Sequence, residues 1–512
     1  MVTSKEIITD LLDNNICKYC CLRFLNEKNP DAYRNIDETI SKLLKQNLNN
    51  SSYSPTSKQL KSNPCSACLG LLQLSHNSDF IDKVANVITE AGYDSSDVTF
   101  ALSLPITFLL RNSSIWLYLS NKYLSYYLEK KLTDDLKQEY NVVSVKEAWK
   151  FLTAAKIAEK VNKSVNNGVT GNFHVNIHIK YDEDEAETSC LINMFPDVFK
   201  NRSSQKRKFH GEILTRKSVE NALLDVELEK FKKHYSIPPE IPNSFITYSN
   251  VECNHDSIYL AGRYNKLSRN LSQTPWMING ERRMESSVEE IISQPVSKII
   301  QNDCIKFSSS GREDVDVRTL GKGRPFVLDV NNPRRTKLDI KTLQVLENEI
   351  NSSTDDVFVR DLQIVKKEDL SHIKLGEQEK TKTYTCFCII KINNDIVEDV
   401  KQKLDELKNI KNLKLQQKTP IRVLHRRPLA IRPKMVHWLE AKYHSLENNQ
   451  LFFKLRLKVE AGTYIKEFVH GDFGRTKPNL SEILNIETDI LALDVEEVAL
   501  NWPPSIEYNG VS

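Results

Sequence analysis

Hydrophobic and polar positions repeat along this chain with two different periods, and each change of period marks an element. Phe173-His174-Val175-Asn176-Ile177-His178-Ile179 repeats every two residues, apolar on one face and carrying two histidines on the other. The spacing predicts a half-buried strand with a solvated histidine face; contact of those rings with RNA or a metal is the alternative. Glu147 to Val161 repeats at helical spacing and places Trp149, Phe151, Leu152 and Ala155 on or near one face. The apolar run from Val98 to Leu110 contains Pro105 and is closed by Arg111. It is too short to span a bilayer and reads as a buried strand. Cys386 and Cys388 alternate in another strand-like run and read as core thiols.

Punctuation divides the chain. Ser236 to Pro242 holds three prolines and marks a domain boundary. With 512 residues, two or three domains are expected. The division reads as 1–78 for a cysteine-bearing segment with a polar, Asn/Ser-rich insertion (Asn47 to Asn63), 79–240 for a mixed helix and strand domain, and 252–512 for the remainder. No internal repeat is visible. Met1 to Asn15 carries acids and no long apolar core, so a soluble, intracellular protein is expected.

Charge adds information only locally. The chain has 71 basic and 68 acidic residues and a formal net charge of +3, which announces no nucleic-acid binder. The clusters say more. Lys200 to Lys217 carries seven cations against one acid, Glu212. Lys418 to Lys434 carries Arg422, His425, Arg426, Arg427 and further cations with no acid, stiffened by Pro420, Pro428 and Pro433. Arg263, Lys266 and Arg269 stand three residues apart, which would gather them along one side of a turn or helix, with Trp276 beyond. Asn279-Gly280 is a turn signal flanked by Glu281, Arg282 and Arg283. Cations interleaved with aromatic rings suit a nucleic acid, because phosphates take the charge and bases stack on rings.

Ten cysteines in an intracellular chain are expected to be reduced, so close pairs suggest metal. Cys17-Lys-Tyr-Cys20 and Cys65-Ser-Ala-Cys68 are two such pairs, with 44 residues between Cys20 and Cys65. Four thiolates close a tetrahedral shell and leave no position for water, which predicts a structural zinc. The alternative is two unrelated pairs of buried thiols, and Cys21 is a neighbour that could enter the ligand set.

Ser310-Gly311-Arg312-Glu313-Asp314-Val315-Asp316-Val317-Arg318 is the segment closest to chemistry. Arg312 and Asp314 alternate in a strand-like run and would face one side, a cation for phosphate beside a carboxylate. The segment resembles the Gly-Arg-Thr-Asp signature of pseudouridine synthases, with Glu313 replacing threonine. It stands in order with Ala261 to Trp276, Gly321-Lys-Gly-Arg-Pro325, Lys382-Thr-Tyr384 and Ala461 to Thr476. Together these blocks resemble the archaeal and eukaryotic tRNA pseudouridine synthase with an N-terminal zinc- and THUMP-containing domain, the tenth eukaryotic type.

That resemblance implies an α+β protein: a catalytic domain on a mixed, mostly antiparallel sheet, with Asp314 on a loop in a cleft between two sub-halves, plus an N-terminal α/β domain with one zinc and a THUMP-like region over 79–240. It implies Asp314 as the catalytic aspartate, with Asp316 as rival, Tyr384 packing on the target base, Lys466 pairing with the aspartate and Arg312 holding the flipped nucleotide. Thr274 to Ser287 would be the forefinger loop and Asn412 to Arg427 the thumb loop, gripping RNA from opposite sides. The expected reaction is uridine isomerisation in the TΨC arm of tRNA, at position 54, 55 or both, by a monomer without organic cofactor; other structured RNAs are further candidates. Neither a Walker sequence nor a dinucleotide-binding loop is present. The rival class is a non-catalytic RNA-binding protein or chaperone in RNA processing, which needs no Asp314, Tyr384 and Lys466 together. A zinc-bearing protein–protein adaptor is a third. The compartment expected is nucleus, cytoplasm or both, with the mitochondrion as the alternative.

Overall fold

In the computed structural model, the described residues are 2–45, 63–75, 77–132, 142–166, 171–199, 213–224, 226–392, 396–425 and 427–506. The basic cluster before residue 213, most of the Asn/Ser-rich insertion and Arg426 therefore lie outside them. The chain forms two compact units, Met1–His255 and Asp256–Ser512. Both mix helices with sheet, an α+β architecture.

The first unit holds a four-stranded sheet of β1 (Asp97–Ser103), β2 (Ser164–Val165), β3 (Phe173–Lys180) and β4 (Thr247–His255), in the order β2-β1-β3-β4. The alternating segment is β3: Phe173, Val175, Ile177 and Ile179 are buried while His174, Asn176 and His178 are partly exposed. His178 faces Glu252 at 3.1 Å and Asn176 at 2.9 Å. The run at Val98–Leu110 divides instead of forming one strand. β1 ends at Ser103, and a helix begins at Thr107 beyond Pro105, whose missing N–H cannot extend a ladder. Glu147 to Val161 is helical, with a π-helical turn over Lys150–Ala154 that buries Trp149 and Leu152. The cysteine segment shares one core with this sheet: Cys20, Cys65 and Cys68 belong to the same apolar cluster as Phe100, Trp149 and Val175. Among the described residues no helix is long and apolar enough to cross a membrane.

The second unit is built on a ten-stranded sheet. Its strands are β5 (Ile258–Lys266), β8 (Cys304–Ser309), β9 (Val317–Asn331), β10 (Val357–Val365), β11 (Lys382–Lys391), β12 (Lys411–Lys418), β13 (Ile431–Glu447), β14 (Gln450–Val459), β15 (Thr476–Lys477) and β16 (Thr488–Val498). The two short strands β6 (Met277–Ile278) and β7 (Glu281–Arg282) form a separate hairpin. The main path runs β10-β5-β9-β16-β11-β14-β13-β12-β15, with β8 beside β9. Only β9 and β16 pair in parallel, and every other pairing in this sheet is antiparallel.

Two cores lie along this sheet. On the first half, the helices Val288–Ile300 and Ile340–Ser353 place Ile292, Val296, Leu346 and Ile350 against Leu260, Phe326 and Leu328. Ser287 caps the first of these helices by accepting the Glu290 N–H. On the second half, the helices Val397–Glu406, Ile465–His470 and Leu480–Leu484 bring Leu404, Phe468 and Leu484 against Phe453, Leu455 and Leu457. Each such buried side chain contributes about 1.5–3 kcal/mol. Cys386 and Cys388 are core thiols of this half, as their alternation predicts.

Candidate functional site

The Gly-Arg-Glu-Asp segment is the loop from β8 to β9, not a strand, so strand alternation does not orient Arg312 and Asp314. Its conformation is fixed from beneath by charges buried in the sheet. Gly311 has φ +96°, and a Cβ there would meet Lys382 Nζ at 2.8 Å and Arg324 Nη1 at 3.0 Å, so only glycine fits. Glu313 points inward and is fully buried. Its Oε2 lies 2.9 Å from Arg324 Nε, and the Tyr264 hydroxyl donates to its Oε1 at 2.8 Å. Arg324 also donates to the Ser310 carbonyl at 2.7 Å, and Gln273 donates to the Gly311 carbonyl at 3.0 Å. Lys266 donates to the carbonyls of Leu271 at 2.8 Å and Val315 at 2.6 Å. With Glu313 turned into the core, the next residue, Asp314, is turned out and stays partly exposed.

The surroundings of Asp314 come from the other half of the sheet. Arg422 Nη1 donates to its Oδ2 at 2.8 Å. The same guanidinium donates through Nε to Glu467 Oε1 at 2.6 Å and sits 6.0 Å from the Tyr464 ring centre. Glu467 is buried, and its Oε2 has no hydrogen-bond partner among the described residues. Lys466 lies 3.7 Å from Asp314 Oδ2 but contacts Asp316 at 2.7 and 2.8 Å. Asp316 is held below the usual carboxylate range: burial opposes this, and the Lys466 ammonium outweighs it. Tyr384, half-buried on β11, has its hydroxyl pushed up by burial; the Arg324 cation opposes this, and the Glu313 and Asp314 carboxylates reinforce it.

The resulting arrangement is a partly exposed carboxylate held by a cation that lies 6.0 Å from the Tyr464 ring centre, over the buried Glu313–Arg324 ion pair. Such a site can stabilise positive charge at a sugar carbon or supply a nucleophile while a base lies on the ring.

The remaining sequence-derived positions divide in two. Arg312 is exposed beside the site. Trp276, 44% exposed, stands next to the β6–β7 hairpin, whose Asn279-Gly280 turn has φ of 51° and 81° as a type I′ turn requires. Arg282 is engaged by Glu290 at 2.7 Å and Arg283 by Glu281 at 3.3 Å, both at the surface. His425 and Arg427 are exposed on the loop after β12. By contrast, Arg263 and Lys266 face inward. The segment that was expected to be a turn or helix is strand β5, packed on both faces. Arg263 donates to the carbonyls of Leu500, Gly323 and Trp502, and Lys266 holds the backbone of the β8–β9 loop. Arg269 is engaged with Asp494 at 2.6 Å. These three cations build the frame and do not form a surface stripe. Gly321 and Gly323 lie inside β9, so that motif is no phosphate loop either.

Sequence reasoning missed Glu313, Arg324, Tyr264 and Gln273. The one available signal was the departure from the signature at Glu313.

In the first unit, the ligand atoms of Cys17, Cys20, Cys65 and Cys68 all lie within 4.8 Å of one another. Cys17 and Cys68 sulfurs are 3.9 Å apart, and tetrahedral zinc with its usual bond length needs about 3.8 Å. Backbone N–H groups of Cys17 and Ala67 donate to Cys65 Sγ at 3.2 and 3.4 Å, and Arg23 Nη1 donates to Cys20 Sγ at 3.3 Å. Donors aimed at sulfur favour thiolates, so the set fits a metal ion. Cys21 stands outside it and faces the Ile16 carbonyl.

The family described as Pus10, C-terminal, matches residues 259–499, and the family described as eukaryotic Pus10, N-terminal, matches residues 65–253. The chain belongs to the Pus10 family of tRNA pseudouridine synthases. The tRNA pseudouridine synthase Pus10 of Homo sapiens is 40% identical over 454 residues, covering 89% of this chain and 82% of that one. The putative tRNA pseudouridine synthase Pus10 of Drosophila melanogaster is 36% identical, with 98% of each chain covered. The Pus10 enzyme of Thermofilum pendens is 35% identical over 252 residues, covering 48% of this chain and 54% of that one. Membership makes the protein an isomerase.

Proposed function

We propose that this protein isomerises uridine to pseudouridine in the TΨC arm of tRNA, at position 54, 55 or both, with Asp314 as the catalytic carboxylate. The observation that carries the reading is Asp314 itself: a partly exposed carboxylate, oriented by a buried neighbour, held by Arg422 and within electrostatic reach of the Tyr384 hydroxyl. Uridine isomerisation breaks the N1–C1′ bond, turns the base and rejoins it through C5. Nothing is oxidised, so no organic cofactor is called for. In this reading Asp314 reacts with or stabilises the nucleotide, and the Tyr384 ring receives the extruded base. Lys466 and Arg422 fix the charge balance around Asp314 and Asp316. Flipping a nucleotide costs a few kcal/mol, which phosphate contacts from Arg312, His425, Arg427 and the β6–β7 hairpin offset. The four-cysteine set holds a structural zinc, whose chemistry is to fix the fold of the first unit, and residues 79–240 act as a THUMP-like tRNA-binding region.

The test is incubation of purified protein with unmodified tRNA transcript, without cofactor, and mapping of pseudouridine by carbodiimide-stop primer extension, with Asp314→Asn alongside. The expected result is a stop in the TΨC arm with wild type alone and near-normal RNA affinity for the variant. A variant that still isomerises would remove Asp314 from its role. Tight binding without any stop would favour the non-catalytic reading.

A further inference from the structure

Gly471, Asp472, Phe473 and Gly474 are four consecutive residues with positive φ, at 82°, 48°, 53° and 79°. Glycine adopts this geometry freely and aspartate tolerates it, but a bulky side chain such as phenylalanine is an outlier there. The segment is a left-handed turn. Gly474 N–H donates to the Gly471 carbonyl at 3.0 Å and Arg475 N–H to the Asp472 carbonyl at 3.1 Å.

Its surroundings hold it in that form. Asp472 N–H donates to His470 Nδ1 at 3.1 Å, and Ile421 N–H donates to Asp472 Oδ2 at 3.2 Å. Arg475 donates to the Thr419 carbonyl at 2.6 Å, and a Cβ on Gly471 would meet Asn479 at 2.7 Å. Every one of these bonds involves a residue other than Phe473, whose ring is 96% exposed. Stability therefore gives no reason for phenylalanine: glycine would relieve the backbone and lose no packing. Such strain is a mark of function rather than of folding.

The neighbourhood indicates what the ring meets. The turn braces the start of the loop after β12, and the residue following Ile421 is Arg422, which contacts Asp314. Lys477, exposed, has its Cε 3.7 Å from the Cβ position of Gly474. The exposed apolar residues on that loop, Ile421, Leu424 and Leu429, share it with the cations Arg422 and Arg427. A bare aromatic ring among cations is equipment for single-stranded nucleic acid: the base stacks and the phosphate takes the charge.

We propose that Phe473 is a stacking platform for an unpaired base of the RNA substrate, other than the uridine being isomerised, with Lys477 neutralising the adjoining phosphate. This rests on the RNA-isomerase reading above.

The test uses the full chain, unmodified tRNA transcript, Phe473→Gly and Phe473→Tyr, and reads three quantities: RNA dissociation constant, single-turnover rate at saturating protein, and melting temperature. For Phe473→Gly we expect a dissociation constant raised about 5- to 150-fold, the size of one lost base stack, with a saturated rate and melting temperature no lower than wild type. Phe473→Tyr restores affinity. Wild-type affinity in Phe473→Gly would overturn the proposal. A tyrosine variant as weak as the glycine variant would overturn it too. If wild type isomerises while Phe473→Gly binds equally well, only the stacking assignment falls. If wild type neither binds nor isomerises the transcript, both readings fall.

Discussion

Arg422 and Asp314, 108 residues apart in the chain, meet at 2.8 Å, whereas Lys466 is 3.7 Å from the same carboxylate oxygen. The cation that holds the candidate catalytic group thus comes from the basic loop after β12, and Glu467 fixes its other side at 2.6 Å.

Truncating that cation tests its role. Arg422→Ala is expected to lower the single-turnover rate at saturating RNA by about 10- to 100-fold, or about 1.4–2.8 kcal/mol of transition-state stabilisation. Lys466→Ala should also slow the reaction. Because the two cations share neighbouring carboxylates, the double variant should lose less than the product of the two effects. Strictly multiplicative losses would show that the pairs act independently.

The buried Glu313–Arg324 pair makes a stability prediction. Glu313→Ala leaves Arg324 charged in the core and is expected to destabilise by about 3–5 kcal/mol. Glu313→Gln, which still accepts from Tyr264, should cost less. Urea unfolding measures both, and an alanine variant within about 1 kcal/mol of wild type would contradict the assigned burial.

Lys382 predicts a pH dependence. Burial, with the Arg324 cation beside it, pushes its amine from 10.5 down to about 8. Below about pH 8 both folded and unfolded chains hold the proton, and the folded state bears the full cost of the buried charge. Between about 8 and 10.5 the folded chain has released the proton and the unfolded chain has not, so stability rises with pH there. Lys382→Met should therefore be more stable than wild type at pH 7, by about 1–3 kcal/mol, and this advantage should vanish by about pH 10.5. An advantage independent of pH would show that packing, not charge, is responsible.

The cysteine set predicts one bound zinc per chain by elemental analysis. Removal with chelator, or Cys68→Ser, should lower the melting temperature of the first unit and leave the second unit's transition in place. Metal content unchanged in Cys68→Ser would exclude that ligand.

Local pattern made part of this molecule legible. The period-two run at β3, the helical face around Trp149, the Asn279-Gly280 turn and the paired cysteines all follow from chemistry within a few residues. The inward cations were not legible. Arg263 reads as a surface charge until its acceptors, the carbonyls of Leu500 and Trp502, arrive from more than two hundred residues away. A backbone carbonyl leaves no mark in a sequence, so nothing told Arg263 and Lys266 from Arg283. Glu313 was hidden for a similar reason: a buried carboxylate needs a buried partner, and nothing in the sequence marked Arg324 as that partner. The turn at Phe473 was invisible because its glycines point to flexibility, whereas the fold uses them for handedness.

The place of β16 in the sheet bears on how the enzyme comes into being. That strand joins β9 on one side to β11 on the other, yet it runs from Thr488 to Val498, after every other strand has been made. During synthesis the loop bearing Asp314 and the segments bearing Tyr384, Arg422 and Lys466 emerge from the ribosome before the strand that joins their two halves. The nascent chain therefore carries Asp314, Tyr384, Arg422 and Lys466 before the sheet that brings them together is complete, because its two halves join only by insertion of a strand into the middle of a sheet, a late and long-range step.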